Sequence, residues 1–205
     1  IPFGYDPALY NAQEPLPAGY EEKYIPKNKF IVGYAGSIGI TNALEPLLRC
    51  AEEMKDNQGI HFLLLGDGDL LEAYKSRVSR LINITFLPKV EKSQVQQFLK
   101  HCHVLYFSVH DSKVWQYGLS LNKLIDYMLA GKPIIASYSG YPSMVNEAQC
   151  GIFVPANDVA TLMRAIHEYS NMPKERLAQI GERGRAWLLQ NRPYEKIAVD
   201  YCRFF

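Results

Sequence analysis

The chain has 205 residues, of which 48% are hydrophobic and 21% are charged, and its formal net charge is +1. This length and apolar content are enough for a full hydrophobic core, in one large domain or two small ones. A charge so close to zero gives no electrostatic reason to expect nucleic-acid binding, so any anion site must be local.

The cysteines are widely spaced, without a C-x-x-C pair, at Cys50, Cys102, Cys150 and Cys202. This spacing argues against a zinc knuckle or a disulfide framework and favours a reducing, cytoplasmic location. We expect all of them to be small core residues. No apolar run approaches the roughly 18 residues that span a bilayer, although surface association at the inner face of a membrane stays open.

Residues 1–28 are rich in proline and tyrosine and show no sustained period, which predicts an interdomain linker and lead-in. From residue 29 onward, short apolar runs alternate with amphipathic stretches. The predicted strands are 29–35, 60–66, 83–88, 104–109, 133–138 and 151–155. The predicted helices are 42–55, 69–81, 93–102, 120–131, 142–148, 158–170, 174–191 and 194–205.

Strands that are apolar throughout and separated by helices predict a parallel sheet that is covered on both faces. The fold class is therefore α/β, with a Rossmann-like doubly wound sheet over residues 29–190. Residues 191–205 add a C-terminal helix, whose aromatic end we expect to pack against another body. Ligands of such sheets bind beyond the carboxyl ends of the strands, so the strand-to-helix loops are the segments of interest.

The loop after the first strand reads GYAGSIG. Glycines such as Gly36 and Gly39 let the backbone approach a diphosphate, while the next helix offers free N–H groups. A tight turn that needs positive φ would have the same sequence. A short-chain dehydrogenase is the sharper competitor, but it needs a tyrosine with a lysine four residues later, and none of the 14 tyrosines has one.

The loop after the second strand, LLLGDGD, places Gly66 and Gly68 around Asp67. Both glycines are candidates for ligand contact. The acidic residues Asp67 and Asp69 are explained equally well by a turn in which an aspartate caps the next helix.

Residues 117–133, YGLSLNKLIDYMLAGKP, predict a short helix with Ser120 as its cap and an apolar face at helical spacing. The helix N-terminus and the ammonium of Lys123 suit a phosphate, and the carboxylate of Asp126 suits two vicinal hydroxyls. A solvated ion pair between Lys123 and Asp126 is the structural alternative. The helix lies at the ligand edge of the sheet, and this location favours the interpretation that it binds a ribose and a diphosphate.

The segments GYAGSIG, LLLGDGD, ITFLPKV and YGLSLNKLIDYMLAGKPIIASYSGYPSMV together resemble the C-terminal, donor-binding half of a GT-B glycosyltransferase of family 4, the retaining group 1 transferases. The resemblance covers residues 29–190, and IPFGYDP resembles the linker between the two halves of those enzymes. The sequence around Asn122 and Lys123 is similar to the motif of a subgroup of these transferases, which add N-acetylated or deoxy amino sugars to surface polysaccharides.

The resemblance implies that Asp126 holds the ribose as the second acid of the family's E-x7-E motif. The first acid would fall at Gly118 and is absent. The usual arginine and lysine after the first glycine loop would fall at Ser37 and Asn42 and are absent too. Lys123 is then the implied replacement cation and catalytic residue.

The implied donor is a nucleoside diphosphate sugar, UDP-linked foremost, with no metal or cofactor required. The base would lie against main-chain groups of the LPKV loop. The residues predicted to contact the donor are Gly36, Ser37, Gly39, Gly66, Gly68, Lys89, Val90, Ser120, Leu121, Asn122, Lys123 and Asp126.

A saccharide or lipid-linked acceptor would bind through an N-terminal domain outside this chain, so we expect a hexosyltransferase half that is inactive alone. A UDP-sugar epimerase of similar shape and a non-catalytic nucleotide-sugar-binding module are the alternatives. His110 lies at the same edge of the sheet and is either structural or in contact with a sugar. Trp115 and Tyr117 are either acceptor contacts or loop anchors.

Overall fold

A six-stranded sheet forms the centre of the computed structural model, which describes residues 3–8 and 13–203. Its strands are β1 (Phe30–Ala35), β2 (Ile60–Leu65), β3 (Ile84–Leu87), β4 (Val104–Ser108), β5 (Ile134–Ser137) and β6 (Gly151–Val154). The strand order is β3-β2-β1-β4-β5-β6, and each neighbouring pair is parallel. The predicted doubly wound parallel sheet is therefore confirmed.

One helix precedes the first strand, and the others connect the strands or follow the last of them. They are α1 (Tyr20–Tyr24), α2 (Glu45–Glu53), α3 (Leu71–Arg77), α4 (Val95–His101), α5 (Asn122–Leu129), α6 (Met144–Glu147), α7 (Val159–Ser170), α8 (Lys174–Asn191) and α9 (Tyr194–Cys202). Most are shorter than predicted. Short 3-10 turns, Ile40–Asn42 and Lys92–Gln94, lie where the predicted helices 42–55 and 93–102 were expected to begin, and α2 and α4 follow them.

The sheet is covered on both faces, and its strands carry apolar residues at most positions. Val32 and Tyr34 of β1 belong to one core cluster, and Ile31 and Ala35 belong to the other. Helix α2 packs beside α7, and α5 packs beside α8. Full burial of a large aliphatic or aromatic side chain contributes about 1.5–3 kcal/mol. The cluster that contains Ile31 and Ala35 also contains all the buried residues of α5, so it fixes this helix firmly on the sheet.

The order of the strands reverses between β1 and β4. Their pairing is limited to Val32 with Val104 and Gly33 with Leu105, after which the two strands separate. The crevice at such a reversal, beyond the carboxyl ends of the strands, is where open α/β sheets bind ligands. The loops after β1 and β4 therefore border the expected binding position.

The predicted linker packs onto the domain within the part of the chain that the structure describes. Leu16 and Tyr20 are buried in the core. The main-chain N–H of Tyr5 donates to the carbonyl of Arg192 at 3.0 Å, and that of Tyr194 donates to the carbonyl of Tyr5 at 3.2 Å. This segment therefore runs beside the start of α9. Its assignment as an interdomain linker stays a prediction.

Helix α9 has no buried residue among those described, and Tyr194 and Val199 on it are exposed. The prediction that this end of the chain packs against another body remains a prediction, and Phe204 and Phe205 lie outside the described residues. Cys202 is exposed, so one of the four cysteines is not the core residue that we expected. Between residues 3 and 203, no described helix is long and apolar enough to cross a membrane.

Candidate functional site

A cleft of about 670 Å³ opens beyond the carboxyl ends of β1, β2 and β3, beside the first turn of α5. The structure brings nine of the predicted donor contacts to it: Gly36, Ser37, Gly66, Lys89, Val90, Leu121, Asn122, Lys123 and Asp126. These residues come from four separate loops, and the doubly wound topology alone puts them together. The residues Gly39, Gly68 and Ser120 do not line this cleft.

Two glycine loops, residues 36–39 and 66–69, pack directly on each other beside the cleft. The N–H of Gly36 donates to the carbonyl of Leu65 at 3.0 Å, and that of Ile38 donates to the carbonyl of Asp67 at 2.8 Å. A Cβ atom on Gly66 would lie 1.8 Å from the carbonyl oxygen of Gly36. No side chain fits there, so Gly66 is required by the contact between the loops.

Gly39 and Gly68 also allow the two glycine loops to pack closely, although neither residue lines the cleft. A Cβ atom on Gly68 would lie 2.4 Å from the carbonyl oxygen of Ile38, and one on Gly39 would lie 2.8 Å from Oδ1 of Asp69. Loop packing thus explains these glycines without a ligand. Gly33, which the sequence placed in the loop motif, lies inside β1.

Helix α5 begins at Asn122 with Leu121 as its N-cap, and no side chain caps it. The prediction that Ser120 caps α5 is wrong. The hydroxyl of Ser120 instead accepts a hydrogen bond from the N–H of Phe3 at 3.4 Å. A capping oxygen must sit on the residue directly before the first helical one to reach the free N–H groups. Because no side chain occupies them, the first N–H groups of α5 are left for water or a ligand.

The ammonium of Lys123 is a half-buried cation that lines the cleft. It donates to Oδ1 of Asn42 and, at 3.1 Å, to the hydroxyl of Tyr34, and it lies 4.7 Å from the centre of the Tyr34 ring. Burial lowers the pKa of Lys123 to about 8. Among the described residues, its ion pair with Asp126 does not form.

Asp126 lies one turn further along α5 and lines the same cleft. Burial raises the pKa of its carboxyl group, while the charge of Lys92 and a hydrogen bond from Gln96 oppose that shift. A partly buried carboxylate with few donors gains from hydroxyl groups that approach from the cleft. This is the arrangement that a ribose diol would satisfy.

Sequence reasoning missed Tyr34 and Asn42, although both contact the predicted cation. The signal for Tyr34 was present: a tyrosine inside a fully apolar strand must place its hydroxyl on some partner. Asn42 entered the sequence analysis only as the position where the family's lysine is absent. Its contact with Lys123 spans 81 positions of the chain and gave no local signal.

The acidic residues of the second glycine loop do not cap helix α3, which has Leu70 at its N-cap and no side-chain cap. Oδ1 of Asp67 instead accepts the N–H of Gly68 at 2.8 Å, which closes the turn locally. The expectation of an aspartate cap was therefore wrong. Asp67 does line the cleft.

His110 joins two loops at the ligand edge. Its Nε2 lies 2.6 Å from the carbonyl oxygen of Ile40, which makes it a donor there. Nε1 of Trp115 donates to the carbonyl of His110 at 2.8 Å, so Trp115 anchors the same loop. Tyr117 is 90% exposed. The structural roles proposed for His110 and Trp115 are thus the ones that the contacts support.

A second cavity, of about 810 Å³, lies at the opposite, amino-terminal edge of the sheet. It mixes lysines such as Lys27 and Lys174 with Glu21 and Glu22, and it lacks both glycine loops. Opposed charges of this kind give no net attraction for a diphosphate. Despite its larger volume, we assign the binding function to the cleft at the carboxyl edge.

No group of three or more histidine, cysteine, aspartate or glutamate side chains within residues 3–8 and 13–203 is arranged to hold a metal ion.

The fold is similar to that of solved glycosyltransferases. A glycosyltransferase from Rickettsia africae has a TM-score of 0.77 at 16% identity, covering 98% of this chain and 55% of that one. Anabaena HepE in complex with UDP-glucose scores 0.73 at 16% identity, with the same coverage of 98% and 55%. A sucrose-phosphate synthase from Thermosynechococcus elongatus scores 0.71 at 19% identity, covering 100% and 51%. The chain therefore spans about half the length of these proteins.

No curated protein matches the sequence significantly. The family described as "Glycosyl transferases group 1" matches residues 29–171, which is more than half of the chain. Together with the strand order and the structural neighbours, this match confirms the predicted half of a GT-B fold. The chain belongs to the group 1 glycosyl transferases.

Proposed function

We propose that this chain is the donor-binding half of a retaining family 4 glycosyltransferase and that its cleft binds a nucleoside diphosphate sugar, UDP-linked foremost. The observation that carries the proposal is the ammonium of Lys123, which is half-buried at the cleft without a carboxylate partner among the described residues. A buried cation without a counter-ion is costly unless an anion completes the site. The glycine loops and the uncapped start of α5 supply neutral donors around it.

Each part of the donor has a matching part of the cleft. The diphosphate would lie between Lys123 and the first N–H groups of α5, because both favour negative charge. The ribose hydroxyls would donate to the carboxylate of Asp126. The base would reach main-chain groups of Lys89 and Val90 on the adjacent loop.

The proposed reaction breaks the bond between the anomeric carbon and the β-phosphate oxygen of the donor. Negative charge then builds on that oxygen, and Lys123 and the N–H groups of α5 stabilise it. Removal of one such donor typically lowers kcat by about 10²–10³-fold. The acceptor hydroxyl would attack with retention of configuration, and the groups that bind the acceptor would belong to a further domain.

Uracil is the base that the comparisons support. The Anabaena HepE structures contain UDP-glucose or UDP, and one TarM structure also contains UDP. At 15–17% identity these proteins share the fold, so the base remains part of the proposal. The sequence resemblance supports the proposed amino-sugar donor, hexosyl transfer, polysaccharide product and saccharide or lipid-linked acceptor. The proposed cytoplasmic location rests on the cysteine spacing, and association with the inner face of a membrane stays open.

Calorimetry and thermal shift with UDP, GDP, ADP and NAD, each with and without Mg²⁺, test the donor assignment. We expect metal-independent binding that is selective for UDP and weakened in Lys123→Ala and Asp126→Ala. Saturation at about a hundred times Kd should add roughly 2.7 kcal/mol of stability. Lys55→Ala and Asp56→Ala, which change exposed residues outside the cleft, are the matched controls and should bind normally.

Two outcomes would count against the donor assignment. Binding of NAD alone would restore the dehydrogenase hypothesis, and equal effects of the cleft and control variants would remove Lys123 and Asp126 from the site. Because the chain alone is expected to transfer little sugar, binding is the decisive readout.

A non-catalytic nucleotide-sugar-binding module is the second candidate, and Gly118 favours it. The residue has φ of +121°, where an L side chain is strained, so the backbone itself disfavours the glutamate that the family motif would place there. Product analysis with the longer protein separates the two candidates, since only a transferase consumes UDP-sugar in the presence of an acceptor.

A further inference from the structure

Among the described residues, Lys123 has two hydrogen-bond partners, and both are uncharged. Tyr34 is fully buried, and its hydroxyl donates to the carbonyl of Ser37 at 2.6 Å. Its lone pair is then available to the ammonium at 3.1 Å. The main-chain oxygen of Asn42 accepts the hydroxyl of Ser108 at 2.8 Å, which ties that turn to the end of β4. Both partners are thus themselves held in place.

We propose that Tyr34 and Asn42 are positioning residues, which fix the ammonium of Lys123 through neutral contacts and so leave its charge for the anionic ligand. This inference rests on the proposed donor function. It names two residues outside the predicted site and assigns them one task.

The neutrality of the two partners is the central point. A carboxylate would hold the ammonium more tightly, but it would also cancel the charge that a diphosphate needs. An ammonium group has three N–H bonds. Two are directed to Asn42 and Tyr34, so one remains for a ligand. The face of the Tyr34 ring, 4.7 Å away, adds attraction without neutralising the charge.

The contacts also place the ammonium beside the first glycine loop. A Cβ atom on Gly36 would lie 3.3 Å from Nζ of Lys123. A small anion at this loop would therefore meet main-chain atoms and the cation together. An ammonium that moved freely on its four-carbon chain would lose rotamer entropy on binding, whereas a fixed one has already lost it.

The other titratable groups of the cleft come from three neighbouring segments. They are Asp67, Lys89, Glu91, Lys92, Asp126 and Tyr127. Among the described residues, no hydrogen bond or ion pair joins any of them to Lys123. Residue 42 is therefore the position at which a single carboxylate would neutralise the cation.

Asn42→Asp tests the proposal most directly, because it keeps the acceptor and adds the charge. We expect thermal stability equal to or above that of the wild type, while UDP affinity at pH 7.5 falls by at least about tenfold, the range for one charge-assisted bond. If Asn42 had only a structural role, Asn42→Asp would change thermal stability and UDP affinity in the same direction. Asn57→Asp, which adds the same charge outside the cleft, is the control and should leave UDP affinity unchanged.

The pH profile gives an independent readout. In the wild type, UDP affinity measured by calorimetry between pH 6.5 and 9.5 should decline once Lys123 begins to lose its proton. Asn42→Asp should shift that decline to higher pH, because a carboxylate favours the charged amine. Tyr34→Phe keeps the ring and removes the acceptor, so it should lower affinity by a few-fold without loss of folding.

A double-mutant cycle shows whether Asn42 acts through Lys123. Asn42→Ala should weaken UDP binding when it is made in the wild-type background. In the Lys123→Met background it should cause no further loss of UDP affinity. An equal loss of UDP affinity in both backgrounds, or wild-type UDP affinity in Asn42→Asp, would overturn this inference but leave the proposed function standing. A wild-type chain that binds neither UDP nor pyrophosphate at any pH would overturn the proposed function, and the inference with it.

Discussion

The hydroxyl of Tyr127 on helix α5 accepts a hydrogen bond from the main-chain N–H of Ala35 on β1, at 2.9 Å. It lies within 3.1 Å of the carbonyl oxygen of Tyr106 on β4 and 3.2 Å of that of Ala35, so its proton also has an acceptor. These contacts occur where β1 and β4 no longer pair with each other. One side chain therefore satisfies the backbone of both strands at the point where the cleft opens, and it fixes α5 there.

Tyr127→Phe should destabilise the fold. The N–H of Ala35 would lose its partner in a fully buried position, which typically costs about 1–3 kcal/mol. Urea unfolding of the two proteins gives the difference in free energy. Because Tyr127 is on the same helix as Lys123, UDP affinity should fall as well.

Tyr117→Phe is the matched control, since Tyr117 is 90% exposed. It should change the free energy of unfolding by less than about 0.5 kcal/mol. If Tyr127→Phe were as stable as this control, the hydroxyl would not be needed to satisfy the separated strands.

Gly66→Ala should be far more damaging than Gly39→Ala. The new methyl group would lie 1.8 Å from the carbonyl oxygen of Gly36, which belongs to a backbone that is itself hydrogen-bonded. At Gly39 it would meet the end of the Asp69 side chain, which can move. Overpacking of this kind costs about 1–3 kcal/mol or more, so thermal unfolding should separate the two variants clearly. Similar melting temperatures would mean that the two loops are not in direct contact.

The sequence predicted the sheet because its strands are apolar at consecutive positions, and it predicted Lys123 and Asp126 because their spacing on α5 is local. It failed for Ser120, whose hydroxyl contacts Phe3 at a sequence distance of 117 residues. Tyr34, Asn42 and Tyr127 act through contacts that span 81 to 92 positions. Periodicity and capping rules describe neighbours in the chain, so they cannot report such contacts.

Lys123→Met should stabilise the unliganded chain at neutral pH. Burial lowers the pKa of Lys123 from 10.5 to about 8, so below pH 8 the folded state holds a charged amine at a cost on the order of 3 kcal/mol. Above pH 8 the folded state binds fewer protons than the unfolded state, and wild-type stability rises toward that of the variant. Urea unfolding from pH 7 to 9.5 should show the difference between the two proteins shrinking. A constant difference would contradict the lowered pKa.

Asp126 should distinguish ribose from deoxyribose. A carboxylate that accepts hydrogen bonds from two ribose hydroxyl groups loses one donor with 2′-deoxy-UDP, so wild-type affinity should fall by about ten-fold or more. Asp126→Asn should bind both nucleotides weakly and nearly equally. Calorimetry with the two ligands gives the ratio directly. A ratio that is the same in both proteins would place the ribose elsewhere in the cleft.

A lysine at residue 42 should be able to replace Lys123 as the cation of the cleft. The ammonium of Lys123 is hydrogen-bonded to the side chain of Asn42, so a lysine at residue 42 starts within reach of the same point. Lys123→Gln should therefore weaken UDP binding, and Asn42→Lys in that background should recover most of the loss. Lys55→Gln, at an exposed residue, controls for the change in net charge. A double variant that folds but binds no better than Lys123→Gln would show that the direction of approach from α5, and not the charge at that point, determines affinity.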